Sequence, residues 1–110
     1  MKKNFIINDL EVFYKDLPPR NLFKARVLCS ALKDGNWRLP THEELTYLYD
    51  LHNLGIMGFK NEYYWSYKEI STGSAISTSI HFNNGMYVNN NDSVKVNMIH
   101  NIRPVRIINK

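Results

Sequence analysis

The chain has 110 residues, 44% of them hydrophobic and 13% aromatic, and a formal net charge of +4. That size gives one domain, residues 1–110, with a single core, and no run approaches the ~18 apolar residues of a membrane span, so membrane insertion is not expected. Residues 1–55 hold eight Lys or Arg against seven acids and residues 56–110 hold six against three, a bias too mild to indicate nucleic acid but one that favours an anionic partner.

The basic start at Met1-Lys2-Lys3 is followed by an apolar run that stops after three residues at Asn8 and Asp9, so it does not read as a secretory signal. The expectation is an internal protein, one that reaches the outside as part of a larger particle, or a fragment lacking its export sequence. Phe5 to Phe13 reads as an opening strand with a polar break at Asn8-Asp9. It is followed by a Pro18-Pro19 pair that cannot continue a ladder.

From Asn21 to Asp34, apolar residues at Leu22, Phe23, Ala25, Leu28, Cys29 and Leu32 predict one face of a helix that Gly35 ends. Pro40 stiffens the approach to a second helix, and Thr41 with Glu44 forms a Thr-x-x-Glu capping box. Trp37 and Leu39 then lie in a short connector and must be buried. Arg38, Glu43 and Glu44 read as structural, with the acids favoured by the helix dipole. The second helix runs from His42 to about His52, with Leu45, Leu48, Tyr49 and His52 on one face and His52 set against the dipole at the helix end.

Gly55 and Gly58 break the helical period. Tyr63 to Tyr67 is the next strand, followed by a turn at Ser71-Thr72-Gly73. Ala75 to Phe82 alternates, with Ile76, Ile80 and Phe82 on one face and Ser77, Ser79 and His81 on the other, which predicts a sheet with one wet side. Asn83-Asn84-Gly85 is a hairpin turn. Met86 to Val88 begins the return, Asn89 to Ser93 is a polar loop, Val94, Val96 and Met98 alternate again, and Ile102 to Ile108 closes the chain. The order predicts an α+β fold with strands at both termini.

Cys29 is the only cysteine, so no intrachain disulfide forms, and its helical position predicts a buried, inert thiol. His42, His52, His81 and His100 are scattered without the close pairing of zinc sites, and no metal is expected.

The motifs that carry a family resemblance are Cys29 and Leu32, the string Gly35-Asn36-Trp37-Arg38-Leu39-Pro40-Thr41-His42-Glu43-Glu44-Leu45, then Tyr64-Trp65-Ser66, Phe82-Asn83-Asn84-Gly85 and Val105-Arg106. In this order, over roughly residues 10–108, the chain resembles the C-terminal domain family of the Legionella collagen-like adhesin, which also occurs in phage proteins. The resemblance implies a C-type-lectin-like fold, with two helices packed on a curled antiparallel sheet and paired terminal strands, and binding of mucin-type or sulfated glycans. Where many relatives have Tyr-Trp-Ser-Ser and an acid, this chain has Tyr67-Lys68-Glu69. It also lacks the Glu-Pro-Asn and Trp-Asn-Asp triplets that hold calcium in lectins, so no cofactor is expected. The fold is shared with formylglycine-generating oxidases, but those need reactive cysteines that Cys29 does not replace.

Seven of the nineteen residues from Asn83 to Asn101 are Asn, suited to sugar hydroxyls, with tyrosines nearby to stack on a sugar ring. Asn83 and Asn84 are read as turn formers; Asn89, Asn90, Asn91 and Asp92 serve equally as turn or ligand residues. The expected ligand-binding set is Tyr64, Tyr67, Lys68, Tyr87, Asn89, Asn90, Asn91, Asp92 and Lys95. Trp37 and Trp65 read as core. Arg103 and Arg106, three apart on one strand, face opposite ways, with Arg106 a paired structural arginine. The leading functional expectation is a non-enzymatic module that binds glycans or mucin, displayed on a virion or cell surface. The rival is a structural or protein-interaction component, as a homo-oligomer or in a virion assembly. An enzyme ranks third, because no nucleophile with a base, carboxylate pair or metal cluster appears.

Overall fold

The structure, a computed structural model, describes residues 3–33, 35–69, 75–89 and 93–108. Among the described residues it is an α+β domain with two helices of more than two turns and a one-turn helix. The opening segment is a hairpin rather than one strand: β1 (Phe5–Ile7) folds back on β2 (Leu10–Val12). Asn8 takes a φ of 54°, a left-handed conformation that asparagine tolerates, so the polar break is itself the turn. β10 (Val105–Ile107) pairs antiparallel with β2, placing Arg106 opposite Glu11. The chain ends therefore meet in one three-stranded sheet, with β2 between the terminal strands.

The larger sheet has the order β3 (Leu17–Arg20), β9 (His100–Ile102), β4 (Tyr63–Trp65), β7 (Thr78–His81) and β8 (Tyr87–Asn89). Its β4–β9 pair is parallel, so the sheet is mixed rather than antiparallel throughout. The Pro18-Pro19 pair sits inside a strand after all. β3 is an edge strand that pairs β9 only at Leu17 and Arg20, with an irregularity between, and the exposed prolines need no ladder donor there. The expected closing strand splits at Arg103-Pro104, because proline has no N–H to offer; β9 enters the larger sheet and β10 the smaller.

Two further segments differ from expectation. Val94 to Met98 is not a strand: α3 (Ser93–Val96) is a single helical turn, and its Val96 packs on the core. β5 (Lys68–Glu69) and β6 (Ala75–Ile76) form a separate two-stranded ladder. The turn expected at Ser71-Thr72-Gly73 lies outside the described residues.

α1 (Leu22–Ser30) begins at Asn21, whose side-chain oxygen accepts from the Lys24 N–H, and buries Leu22, Ala25 and Cys29. It stops at Ser30, ahead of Gly35. Gly35 and Asn36, with φ of 72° and 64°, turn the connector instead of the helix end. α2 (His42–Asn53) has the full capping box and buries Leu45, Leu48 and Leu51. Those leucines join Tyr64, Ile80 and Phe82 in one cluster, whereas Trp65 and Ile102 join Leu22, Ala25, Cys29 and Leu39 in the other. Tyr64 and Trp65 alternate along β4, so the larger sheet carries α2 on one face and α1 on the other. Covering both faces shrinks the expected wet side: Ser77, Thr78 and Ser79 are all buried, and of the expected row only His81 stays half-buried.

Candidate functional site

The hinge between the helices combines short-range side-chain bonds with long-range packing on Trp37 and an antiparallel bridge between Arg38 and Val105. Arg38 forks onto Glu44 with Nη1 2.7 Å from Oε1 and Nη2 3.0 Å from Oε2. The same carboxylate accepts the Thr41 N–H at 2.9 Å, and the Glu44 N–H donates to the Thr41 hydroxyl at 3.1 Å. Burial would raise the Glu44 pKa, but these bonds and the guanidinium charge hold it below the usual carboxylate range, while the bond to Glu44 raises that of Arg38. Trp37 is 4% exposed. Its indole N–H donates to the Lys33 carbonyl, Phe13 meets its ring edge-on, and the Arg106 guanidinium lies 4.4 Å from the ring centroid.

Between this hinge and α1 runs an open groove of about 680 Å³. One wall is the outward stripe Phe23, Arg26, Val27 and Ser30; Trp37, Leu39, Tyr67 and Lys68 also line it. Phe23 is 71% exposed and Val27 48%, which corrects the expectation that Phe23 joins the buried face with Cys29. The apolar residues of α1 form two stripes, not one. The Arg26 guanidinium lies 3.8 Å from the Tyr67 ring centroid, a stacked geometry that fixes the position of the charge. The Tyr67 N–H donates to the Pro40 carbonyl at 2.9 Å, tying this wall to the hinge. Lys68 approaches Glu43 only to 4.0 Å, both side chains well exposed.

The expected ligand-binding residues do not form one surface. Tyr67 and Lys68 line the groove, with one face of the Tyr67 ring taken by Arg26. Tyr87 is exposed on β8 with its ring against His42, and Asn89 is exposed on the same strand. Lys95 is half-buried on α3 and does not line the groove. Tyr64 must be withdrawn from the set: it is fully buried, its hydroxyl donating to Asp16 at 2.7 Å and accepting the Lys60 N–H at 3.0 Å. Burial, then the bond to Asp16, pushes its pKa up. Asn90, Asn91 and Asp92 lie outside the described residues.

The arginines and turn asparagines behave structurally. Arg106 pairs with Glu11 at 2.8 Å, and Arg103, 8% exposed, pairs with Asp16 at 2.8 Å. Asn84 accepts the Met86 N–H across the β7–β8 turn, where Gly85 has a φ of 75°. Trp65 is fully buried, and His52 Nδ1 accepts the Phe59 N–H, holding the segment after α2. Among the groove residues absent from the expected set, Phe23, Arg26 and Val27 come from the outward stripe of α1. The signal for them was present as a second i, i+3, i+4, i+7 spacing on α1, running Phe23, Arg26, Val27, Ser30.

A second concavity, of about 360 Å³, opens on the sheet where Tyr63 lies between His81 and His100, with Glu62 and Ile99 beside them. The ring centroids of Tyr63 and His81 are 4.8 Å apart and those of Tyr63 and His100 5.3 Å.

One hydroxyl–imidazole contact has the look of a nucleophile with its base: His42 Nδ1 is 2.8 Å from Thr78 Oγ1. Thr78 is 4% exposed, and its hydroxyl is also 2.6 Å from that of Ser66. An electrophile has no approach to it, so the pair closes a buried polar network that joins α2 to β7. Among the described residues no group of three or more His, Cys, Asp or Glu is placed to hold a metal ion, and no helix is long and apolar enough to cross a membrane. No family model, curated protein or solved structure matches the chain.

Proposed function

We propose that the domain is a non-enzymatic carbohydrate-binding module of C-type-lectin-like fold. In this reading it takes mucin-type or anionic, sulfated glycans in the groove between α1 and the hinge and serves on a virion or cell surface. The observation that carries the reading is the pairing, in one open groove, of an exposed phenyl ring at Phe23 with two cations, Arg26 and Lys68. A sugar ring offers an apolar face to an aromatic side chain, and a sulfate or carboxylate on the next sugar suits a guanidinium whose plane is already fixed on Tyr67. The exposed Phe23 and Val27 also favour a second reading, a protein-interaction surface on the same stripe.

Retention of the parent protein, Phe23→Ala and Lys68→Ala on immobilised sulfated polysaccharide and on mucin, at low and high salt, separates the two. Lys68→Ala weakens retention at low salt, and the difference shrinks as salt screens charges beyond a Debye length of about 8 Å at physiological ionic strength. Phe23→Ala weakens it at both. A parent protein that both supports fail to retain at low salt refutes the carbohydrate reading, and retention unaffected by either variant removes it from this groove.

A further inference from the structure

The cleft around Tyr63 differs from the groove in charge and size. Among the described residues Lys and Arg contribute nothing to its lining, and its carboxylate comes from Glu62. Glu62 is held in place rather than free: its Oε1 accepts from Asn101 Nδ2 at 2.9 Å, and the same amide donates to the Tyr63 carbonyl at 3.1 Å. Its other oxygen is left to accept from a ligand. His81 Nδ1 accepts the Asn83 N–H at 3.2 Å, so the proton of that imidazole sits on Nε2, which is left to donate. His100 packs on Trp65 with ring centroids 4.6 Å apart, which sets its ring plane through contact with the core. Ile99, 61% exposed, supplies an apolar wall. The cleft therefore gathers a fixed acceptor, an imidazole donor, an aromatic ring and an aliphatic wall. Its volume of about 360 Å³ is near the lower end of the roughly 300–1,000 Å³ of small-molecule sites.

We infer that this cleft is a second carbohydrate subsite, taking one uncharged pyranose ring. Vicinal hydroxyls would donate to the Glu62 carboxylate and accept from His81, and the ring's apolar face would lie against Tyr63 and Ile99. Charge-assisted bonds from hydroxyls to a carboxylate are the strong ones available to a neutral sugar, and the same carboxylate disfavours the anionic glycans assigned to the groove. The ligand class rests on the carbohydrate reading, but the location and the preference for an uncharged ring do not depend on the groove.

The test is titration of isotope-labelled protein with the uncharged methyl glycosides of galactose, mannose and N-acetylglucosamine, followed by NMR. Tetramethylammonium chloride at matched ionic strength is the cationic control. At least one glycoside should give saturable shifts at Tyr63, His81 and His100. Glu62→Gln keeps an acceptor for Asn101 and removes the charge; it should weaken binding roughly tenfold, and Ile99→Ser should weaken it a few-fold. Lys68→Ala in the groove should leave it unchanged. Absence of saturable shifts with every glycoside, shifts confined to Phe23 and its neighbours, or a response to the ammonium ion alone each overturn the inference. Retention on sulfated polysaccharide reports the groove separately, so either site can fail without the other.

Discussion

The hinge from Gly35 to Leu45 and the late segment from Ala75 to Met98 are both rich in polar side chains, yet they are organised differently. In the hinge a set of side-chain partners is close in sequence, although Trp37 also packs on Phe13 and Arg106 and the Pro40 carbonyl accepts from Tyr67. Arg38 finds Glu44, Thr41 finds Glu44 and Trp37 finds the Lys33 carbonyl, all within six residues. In the late segment Thr78 meets Ser66 and His42, which lie 12 and 36 residues away. The capping box and the Arg38–Glu44 fork can therefore form with the first turn of α2, whereas the Arg38 backbone and the Trp37 ring wait for Val105, Phe13 and Arg106. Thr78 acquires a partner only when the strands and α2 assemble. Bonds between near neighbours can persist when tertiary packing loosens; bonds between distant partners fail with it.

The largest expected effect breaks the hinge. Trp37→Ala should destabilise the domain by about 3–5 kcal/mol, a large part of the roughly 5–15 kcal/mol available to a domain. Trp37 also lines the groove, so the same variant should lose ligand retention. Chemical denaturation measures the first effect, and a midpoint equal to that of the parent would show that the ring is not part of the core.

In the late segment the weak point is the turn after β7. A Cβ on Gly85 would lie 2.9 Å from the Tyr49 ring, at a φ of 75°. Gly85→Ala should cost about 2–4 kcal/mol, of which the left-handed backbone accounts for ~1–2 kcal/mol and the clash with Tyr49 for the rest. In a Tyr49→Leu background the cost should fall to the backbone part alone. An equal cost in both backgrounds would mean that the ring moves aside freely.

Acid distinguishes the regions more gently. His100 is held below its ordinary 6.5 by burial. On acidification the unfolded chain is protonated there first, so stability begins to fall near that pH. Glu11 and Glu44 lie below their ordinary 4.5, because hydrogen bonds and arginine charges outweigh burial. Their stabilisation is fully present above 4.5 and is lost as pH falls toward their folded values. Stability should thus decline in two steps, the first at the sheet cleft and the second at the hinge and β2–β10. Glu44→Gln should reduce the second step and leave the first; a single step unaffected by Glu44→Gln would contradict the assignment.

The smallest effect is kinetic. Cys29 is fully buried and burial pushes its thiol up to about 12, so native protein should react with a thiol reagent at the rate of opening rather than of chemistry. Rapid stoichiometric labelling at neutral pH would show that α1 detaches easily from the sheet.

Local pattern was enough for the capping box at Thr41 and Glu44, the left-handed turn at Gly85, the burial of Trp37, Trp65 and Cys29, and the α+β class. Each follows from backbone preference or from the environment that an apolar side chain requires, and both are properties of short stretches. Tertiary structure decided the rest. Ser77 and Ser79 alternate like a solvent-facing row, but α1 and α2 cover both sheet faces there, so the wet side shrinks to the cleft at His81 and the hydroxyls find partners inside. Val94 to Val96 alternates like a strand and becomes a helical turn with Val96 packed on the core. Tyr64, expected at a binding surface, is drawn inside by Asp16, whose position depends on Arg103 at the other end of the chain. The groove was half legible: Tyr67 and Lys68 belong to it, and so does the second stripe of α1. Which of two apolar stripes faces the core depends on what arrives to cover it, and that is set by contacts between residues far apart in sequence.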